Sequence, residues 1–200
     1  MKNSDVTTIE IIAISIIAGA MYALCKYLET ALGLWGILWL IGKTFGHLEQ
    51  SVFLEEIYSI LDGQPPEINL INEKNNGENV LEIINKNLVN AVHDISAGGL
   101  LVALAEMSMG TNYGVKINKP KNLTNSLKYF FGEDQGRYIV EINEKNKKEV
   151  SEILRKNSIY YEIIGKTQKD CLYINEELNI KLTDLSKLNS FWFNNFFRED

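Results

Sequence analysis

His93-Asp94-Ile95-Ser96-Ala97-Gly98-Gly99 sets an imidazole, a carboxylate and a hydroxyl ahead of a glycine pair, and the apolar run Leu100 to Met109 follows. Strand-like residues 88–92 come before it, so the order is strand, polar turn, helix. Free N–H groups at the start of a helix attract an anion. Glycines there let a ligand, or another backbone, approach without a Cβ in the way. The chemistry on offer is phosphate or nucleotide binding, with His93, Asp94, Ser96, Gly98 and Gly99 as candidates. Each has a structural counter-reading. Asp94 and Ser96 are placed to cap the next helix, worth about 1 kcal/mol. His93 suits a satisfied histidine at a strand end, since no Asp–His–Ser arrangement is supplied. Gly98 and Gly99 equally suit close strand–helix packing.

A second glycine-framed turn, Phe131-Gly132-Glu133-Asp134-Gln135-Gly136-Arg137, leads into the alternating strand 137–142. Glu133, Asp134, Gln135 and Arg137 complete the candidate set. Arg137 can face a phosphate bidentately or pair with Glu133 or Asp134. Clustered polar residues are also the ordinary make-up of a solvated turn. His47 and Gln50 stand near a helix start, where capping competes with ligand contact. No catalytic residue can be assigned from these patterns. His47, His93, Cys25 and Cys171 are too scattered for a metal-ligand spacing, so no metal site is expected. Two distant cysteines point to a reducing compartment such as the cytoplasm. A net charge of −6 argues against nucleic acid as a partner.

The elements that must position these turns follow from periodicity. Ile37 to Lys43 reads as a buried strand, and Ser51 to Leu61 carries helical spacing until Asp62-Gly63-Gln64-Pro65-Pro66 stops it. Residues 69–88 predict one or two helices, with a possible break at Asn75-Asn76-Gly77. Leu100 to Met109 is apolar nearly all round and predicts a core helix. Gly114 to Ile117 predicts a strand, Ser126 to Phe131 a short helix, and Glu144 to Lys156 an amphipathic helix with Val150, Ile153 and Leu154 inward. Ile159 to Lys166, Cys171 to Ile174 and an edge at 180–182 complete the strands. A terminal helix over 184–197 carries an apolar cap of Phe191, Trp192, Phe196 and Phe197. Strands and helices in mixed order predict an α+β fold with a mixed sheet, not a doubly wound one.

Residues 1–36 are different. Two apolar runs, 11–25 and 31–42, are each shorter than the roughly 20 residues a membrane span needs. The expectation is an apolar helical segment of unclear origin over 1–36, followed by a domain over 37–200. A membrane anchor through residues 9–28 stays open, as does a buried helical hairpin.

Four motifs in order carry a resemblance. They are Leu40-Ile41-Gly42-Lys43-Thr44-Phe45-Gly46-His47-Leu48-Glu49-Gln50-Ser51, the Gly63-Gln64-Pro65-Pro66 connector with Asn69, Leu70 and Glu73, the His93–Leu100 turn, and the Phe131–Arg137 turn. From about Ile37 to Phe197 the chain resembles the last domain of phosphoribosylformylglycinamidine synthase, synthetase subunit. Related domains occur in aminoimidazole ribonucleotide synthetase, selenophosphate synthetase and thiamin-monophosphate kinase. The resemblance implies the aminoimidazole ribonucleotide synthetase type of C-terminal α+β domain. It also implies an ATP-dependent ligase of purine biosynthesis. That enzyme phosphorylates a formamide oxygen, and glutamine-derived ammonia displaces the phosphate. ATP and Mg2+ are the implied cofactors. The remaining synthetase domains and a glutaminase subunit or domain are the implied partners. The family's Gly-Asn-x-Ser segment has no counterpart here, and Ala97 stands where many members carry Asp. The expectation is therefore a fragment, inactive alone, from a truncated or frameshifted gene. The competing expectation is a membrane-anchored α+β binding module.

Overall fold

A computed structural model describes residues 36–196 apart from 110, 112 and 176, with side chains as far as residue 191. The expected apolar helical segment, and with it the candidate anchor at 9–28, lies outside the described residues. No helix among the described residues is long and apolar enough to cross a membrane.

Seven strands form one sheet in the order β2-β4-β1-β5-β3-β6-β7. In chain order they are β1 (Ile37–Ile41), β2 (Val89–Ile95), β3 (Tyr113–Ile117), β4 (Arg137–Ile142), β5 (Tyr161–Lys169), β6 (Cys171–Ile174) and β7 (Leu178–Lys181). Every neighbouring pair is antiparallel except β3 with β6, where Val115 stands opposite Leu172. That is the mixed sheet of an α+β fold. The six α-helices among the described residues are α1 (Val52–Tyr58), α2 (Leu70–Asn85), α3 (Gly99–Ser108), α4 (Ser126–Phe131), α5 (Lys147–Lys156) and α6 (Leu182–Phe196).

Both faces of the sheet are covered, and the pleat of β1 shows why. Leu38 and Leu40 belong to one core with Phe53 of α1, most of α3, Tyr129, Phe130 and Phe131 of α4, and Leu185 of α6. Trp39 and Ile41 belong to a second core with Val80 and Ile83 of α2 and Val150, Ile153 and Leu154 of α5. A strand buried on both faces reads as an unbroken apolar run. Helix α3 is buried on every side but that of Glu106, as its composition requires. Helix α5 turns its three predicted apolar residues inward.

Several boundaries differ from the sequence reading. Helix α2 runs unbroken through Asn75-Asn76-Gly77. Asn69 caps it, accepting the Asn72 N–H at 3.0 Å, and packing outweighs the roughly 1 kcal/mol that glycine costs inside a helix. Strand β2 continues past His93 because Asp94 and Ile95 pair with Tyr138 and Arg137 of β4. His93 and Asp94 therefore stand in the sheet, not in the turn. Strand β5 extends to Lys169, opposite Tyr113. Of the expected aromatic cap, the Phe191 side chain is exposed, not buried.

Candidate functional site

The Phe131–Arg137 turn is the organising centre. Helix α4 closes with Gly132 N–H donating to the Lys128 carbonyl, and the Glu133 N–H then donates to the His47 carbonyl at 2.8 Å. The Asp134 carboxylate accepts three consecutive backbone N–H groups, from Phe45 (3.0 Å), Gly46 (2.9 Å) and His47 (3.1 Å). The Glu133 carboxylate accepts Val52 N–H at 2.9 Å and Gly98 N–H at 2.7 Å. One carboxylate thus ties the start of α1 to the start of α3. Arg137 is 1% exposed. It donates to the Thr44 hydroxyl, the Asp134 carbonyl and the Gly132 carbonyl, with the Asp134 carboxylate 3.8 Å away. The turn is a buried knot and not the solvated loop its polar composition suggests.

The Gly-Gly corner meets this knot. Gly98 and Gly99 both take positive φ, 78° and 73°. A Cβ on Gly99 would stand 2.7 Å from the Phe131 carbonyl carbon and 2.8 Å from the Gly132 oxygen. Close backbone packing is what this glycine permits. Gly98 is the N-cap of α3, with no side-chain cap from its own segment. The Ser96 hydroxyl accepts the Ala97 N–H at 2.7 Å instead, and Asp94 is exposed. The expected caps are replaced by a carboxylate 35 residues away in sequence. The amides expected to be free are used as well: Gly98 by Glu133, and Gly99 by the Ser96 carbonyl at 3.1 Å. His93 is buried, its Nδ1 2.6 Å from the Asp94 carbonyl and its Nε2 3.6 Å from the Glu106 carboxylate.

Burial sets the electrostatics. It pushes the Glu133 carboxyl above the usual carboxylate range, against the pull of the Gly98 and Val52 N–H groups. Burial also draws Arg137 below its ordinary value, opposed chiefly by Asp134. It raises Glu106 as well, opposed by His93. Glu162 is likewise raised by burial, although the Tyr129 hydroxyl donates to it at 3.1 Å.

A cleft adjoins the knot at Asp134 and Gln135. It has a volume of about 640 Å³ and separates the first half of α2 from the 42–47 loop, the tip of the turn and residues 157–160. Lys43, His47, Asn69, Asn72, Glu73, Asn76, Gln135 and Tyr160 line it. Of the nine sequence candidates only Asp134 and Gln135 reach it, and of those two Gln135 is the exposed one; Asp94, also exposed, does not line the cleft. Asn76 donates to the Gly136 carbonyl at 2.9 Å, and the His47 Nε2 lies 2.8 Å from the Gln64 carbonyl. The wall contributed by α2 was missed as a site. Its signal was the polar spacing 69, 72, 73, 76, one face of a helix.

The comparisons fit this architecture. The family described as "AIR synthase related protein, C-terminal domain" matches residues 37–174. The chain is 42% identical over 160 residues to phosphoribosylformylglycinamidine synthase subunit PurL of Pelagibacter ubique, covering 80% of this chain and 22% of that protein. It is 36% identical over 160 residues to the same subunit of Bartonella bacilliformis, with the same coverages, 80% and 22%. The chain thus spans about a fifth of the length of the curated relatives it matches. Among solved structures, Thermotoga maritima PurL complexed with FGAR superposes with a TM-score of 0.64 at 17% identity, over 79% of this chain and 29% of that one. PurLQS of Thermotoga maritima gives 0.60 at 19% identity, over 79% and 27%. With a matched span that opens at β1 and closes at β6, the chain belongs to the family of AIR synthase related protein C-terminal domains.

Proposed function

We propose that residues 37–200 serve as one domain of an ATP-dependent ligase that converts formylglycinamide ribonucleotide to formylglycinamidine ribonucleotide with glutamine-derived ammonia. The observation that carries this reading is the 42% identity to a PurL subunit over 160 residues, on a fold of the same kind. The domain acts with the rest of a synthetase and a glutaminase as partners, and is inactive by itself.

ATP and Mg2+ belong, in this reading, to the assembled enzyme. Phosphorylation of the formamide oxygen is the chemistry they supply when bound. The described residues do not by themselves fit a triphosphate. The Gly-Gly corner already holds the Glu133 carboxylate where an anion would sit. In the cleft, Lys43 shares the lining with Glu67 and Glu73. Gln135, exposed at the cleft wall, is the candidate placed to meet a ligand in the cleft, while Glu133, Asp134 and Arg137 hold the loops that shape it.

The test is turnover. A chimera in which residues 37–196 replace the matched 160 residues of Pelagibacter ubique PurL is expected to form amidine product from formylglycinamide ribonucleotide, ATP, Mg2+ and ammonia. The chain alone is expected to form none. Robust turnover by the chain alone would overturn the domain reading, and a well-folded but inert chimera would overturn the ligase reading.

A further inference from the structure

His93 and Glu106 form a titratable pair that neither the knot nor the cleft uses. His93 stands on β2, the strand at one end of the sheet, and Glu106 on α3, which packs against β2. The His93 side chain is 6% exposed and that of Glu106 19%. Two contacts fix which ring nitrogen carries hydrogen. Nδ1 lies 2.6 Å from the Asp94 carbonyl, and a carbonyl oxygen only accepts, so Nδ1 is the donor. Nε2 therefore carries a hydrogen only in the imidazolium cation. It lies 3.6 Å from the Glu106 carboxyl, a charge contact rather than a hydrogen bond.

With no proton between them, a nitrogen lone pair would face a carboxylate, both largely out of water. One proton removes the conflict, as imidazolium against carboxylate or imidazole against carboxylic acid. The neighbouring charges favour keeping it. The Asp94 carboxylate, 3.7 Å from Nδ1, is a second anion beside the ring. Burial raises the Glu106 carboxyl, His93 opposes that rise and Asp94 adds to it. From β4, Ile139 stands opposite His93, and Tyr138, its phenol raised by burial, stands opposite Asp94. Arg137, opposite Ile95, is engaged in the knot. Glu106 is the one residue of α3 that is not buried, so it has a path to water.

We propose that His93 and Glu106 hold one proton between them as a latch joining β2 to α3, and that its loss releases Glu106 to water and loosens the Gly98–Gly99 corner between the two elements. The proton leaves to solvent, and the pair passes from net zero charge to −1. The sign is the same whichever atom holds the proton. The folded chain keeps it to higher pH than an unfolded imidazole, whose ordinary value is about 6.5. The stability it contributes is full below that unfolded value and is lost as pH rises through the folded one. Neither the pair nor its test depends on the ligase reading.

The test follows the His93 ring nitrogens by 15N NMR across pH in the full chain, with Glu106→Gln as the variant. Nδ1 is expected to keep its hydrogen throughout, while the Nε2 resonance titrates. Glu106→Gln is expected to lower the Nε2 midpoint by about one pH unit, a tenfold loss of proton affinity. Amide exchange in α3, corrected for its intrinsic dependence on pH, is expected to quicken about tenfold as Nε2 loses its proton. Across the same range the corrected exchange of Glu106→Gln is expected to stay level. An Nδ1 without hydrogen, or an Nε2 midpoint that ignores Glu106→Gln, overturns the shared proton. Corrected exchange in α3 that ignores the titration overturns the latch. Should the variant fail to fold, the wild-type chain still decides: an Nε2 midpoint at or below about 6.5 sinks the shared proton, and one well above it supports the pair.

Discussion

The Phe131–Arg137 turn and the connector from Ser59 to Ile71 break the same packing rule in opposite directions. The turn takes a carboxylate and a guanidinium out of water: Asp134 is 5% exposed and Arg137 less. The connector leaves Leu61, Ile68, Leu70 and Ile71 in water. In the turn, each buried polar group has a named partner within the fold, so desolvation is offset by charge-assisted hydrogen bonds. In the connector, the apolar groups have no such partner among the described residues. The lesson is that a polar motif can be the buried, structural part of a domain, while apolar side chains of a connector stay in water.

The largest expected effect breaks the turn. Arg137→Leu leaves the Asp134 carboxylate and the Gly132 carbonyl buried without their cation, and is expected to cost about 3–5 kcal/mol. Urea denaturation monitored by tryptophan fluorescence measures it. A loss below about 1 kcal/mol would show that the knot is not what holds the loops together.

Gly99→Ala comes next. It forces a Cβ against the Phe131–Gly132 backbone at a φ of 73°, and about 2 kcal/mol or more is expected from the left-handed backbone and the clash together. Thermal melting reports it. Gly77→Ala, within α2 at negative φ and 3.3 Å from the Tyr138 hydroxyl, provides the milder reference.

A subtler effect is electrostatic. Burial raises Glu133 in the folded state above its unfolded value of about 4.3. Its contribution to stability is thus fully present below that unfolded value and is lost as pH rises through the folded one. Glu133→Gln removes this titration and keeps one carbonyl acceptor. The stability of the wild-type chain relative to the variant is therefore expected to fall as pH rises above the unfolded value. Paired urea midpoints across that range check the sign. A difference that rises with pH would mean that the two backbone N–H groups outweigh burial.

The smallest effect belongs to the connector. Leu70→Asp in the chain alone is expected to change unfolding free energy by no more than about 0.5 kcal/mol, because the side chain loses no buried contact. A larger loss would move this residue from the outward face into the core and dissolve the contrast with the turn.

Much of the fold was legible in order and type. Periodicity alone marks α5, and its Val150, Ile153 and Leu154 do face the core. The apolar content of α3 likewise predicts its burial. Boundaries were less legible where pairing decides them: β2 keeps His93 and Asp94 only because β4 offers Tyr138 and Arg137 opposite. The site was legible as two motifs but not as one object. Nothing local to residues 93–100 states that Gly98 will donate to a carboxylate at position 133. Nor does the 131–137 run state that its Asp will gather the amides of Phe45, Gly46 and His47.

The sequence by itself determined the two-sided burial of β1, the core helix α3, the positions of the two glycine-framed turns and the family to which their order belongs. These follow from period, composition and local backbone freedom, all short-range properties. Only the tertiary structure decided that an internal carboxylate fills the amide corner of the first turn, that Arg137 is sealed inside the second, and that the open cleft lies instead along the Asn-rich flank of α2. The reason is range: each of those outcomes joins segments dozens of residues apart, and which polar group reaches which amide is settled only when the sheet brings them together.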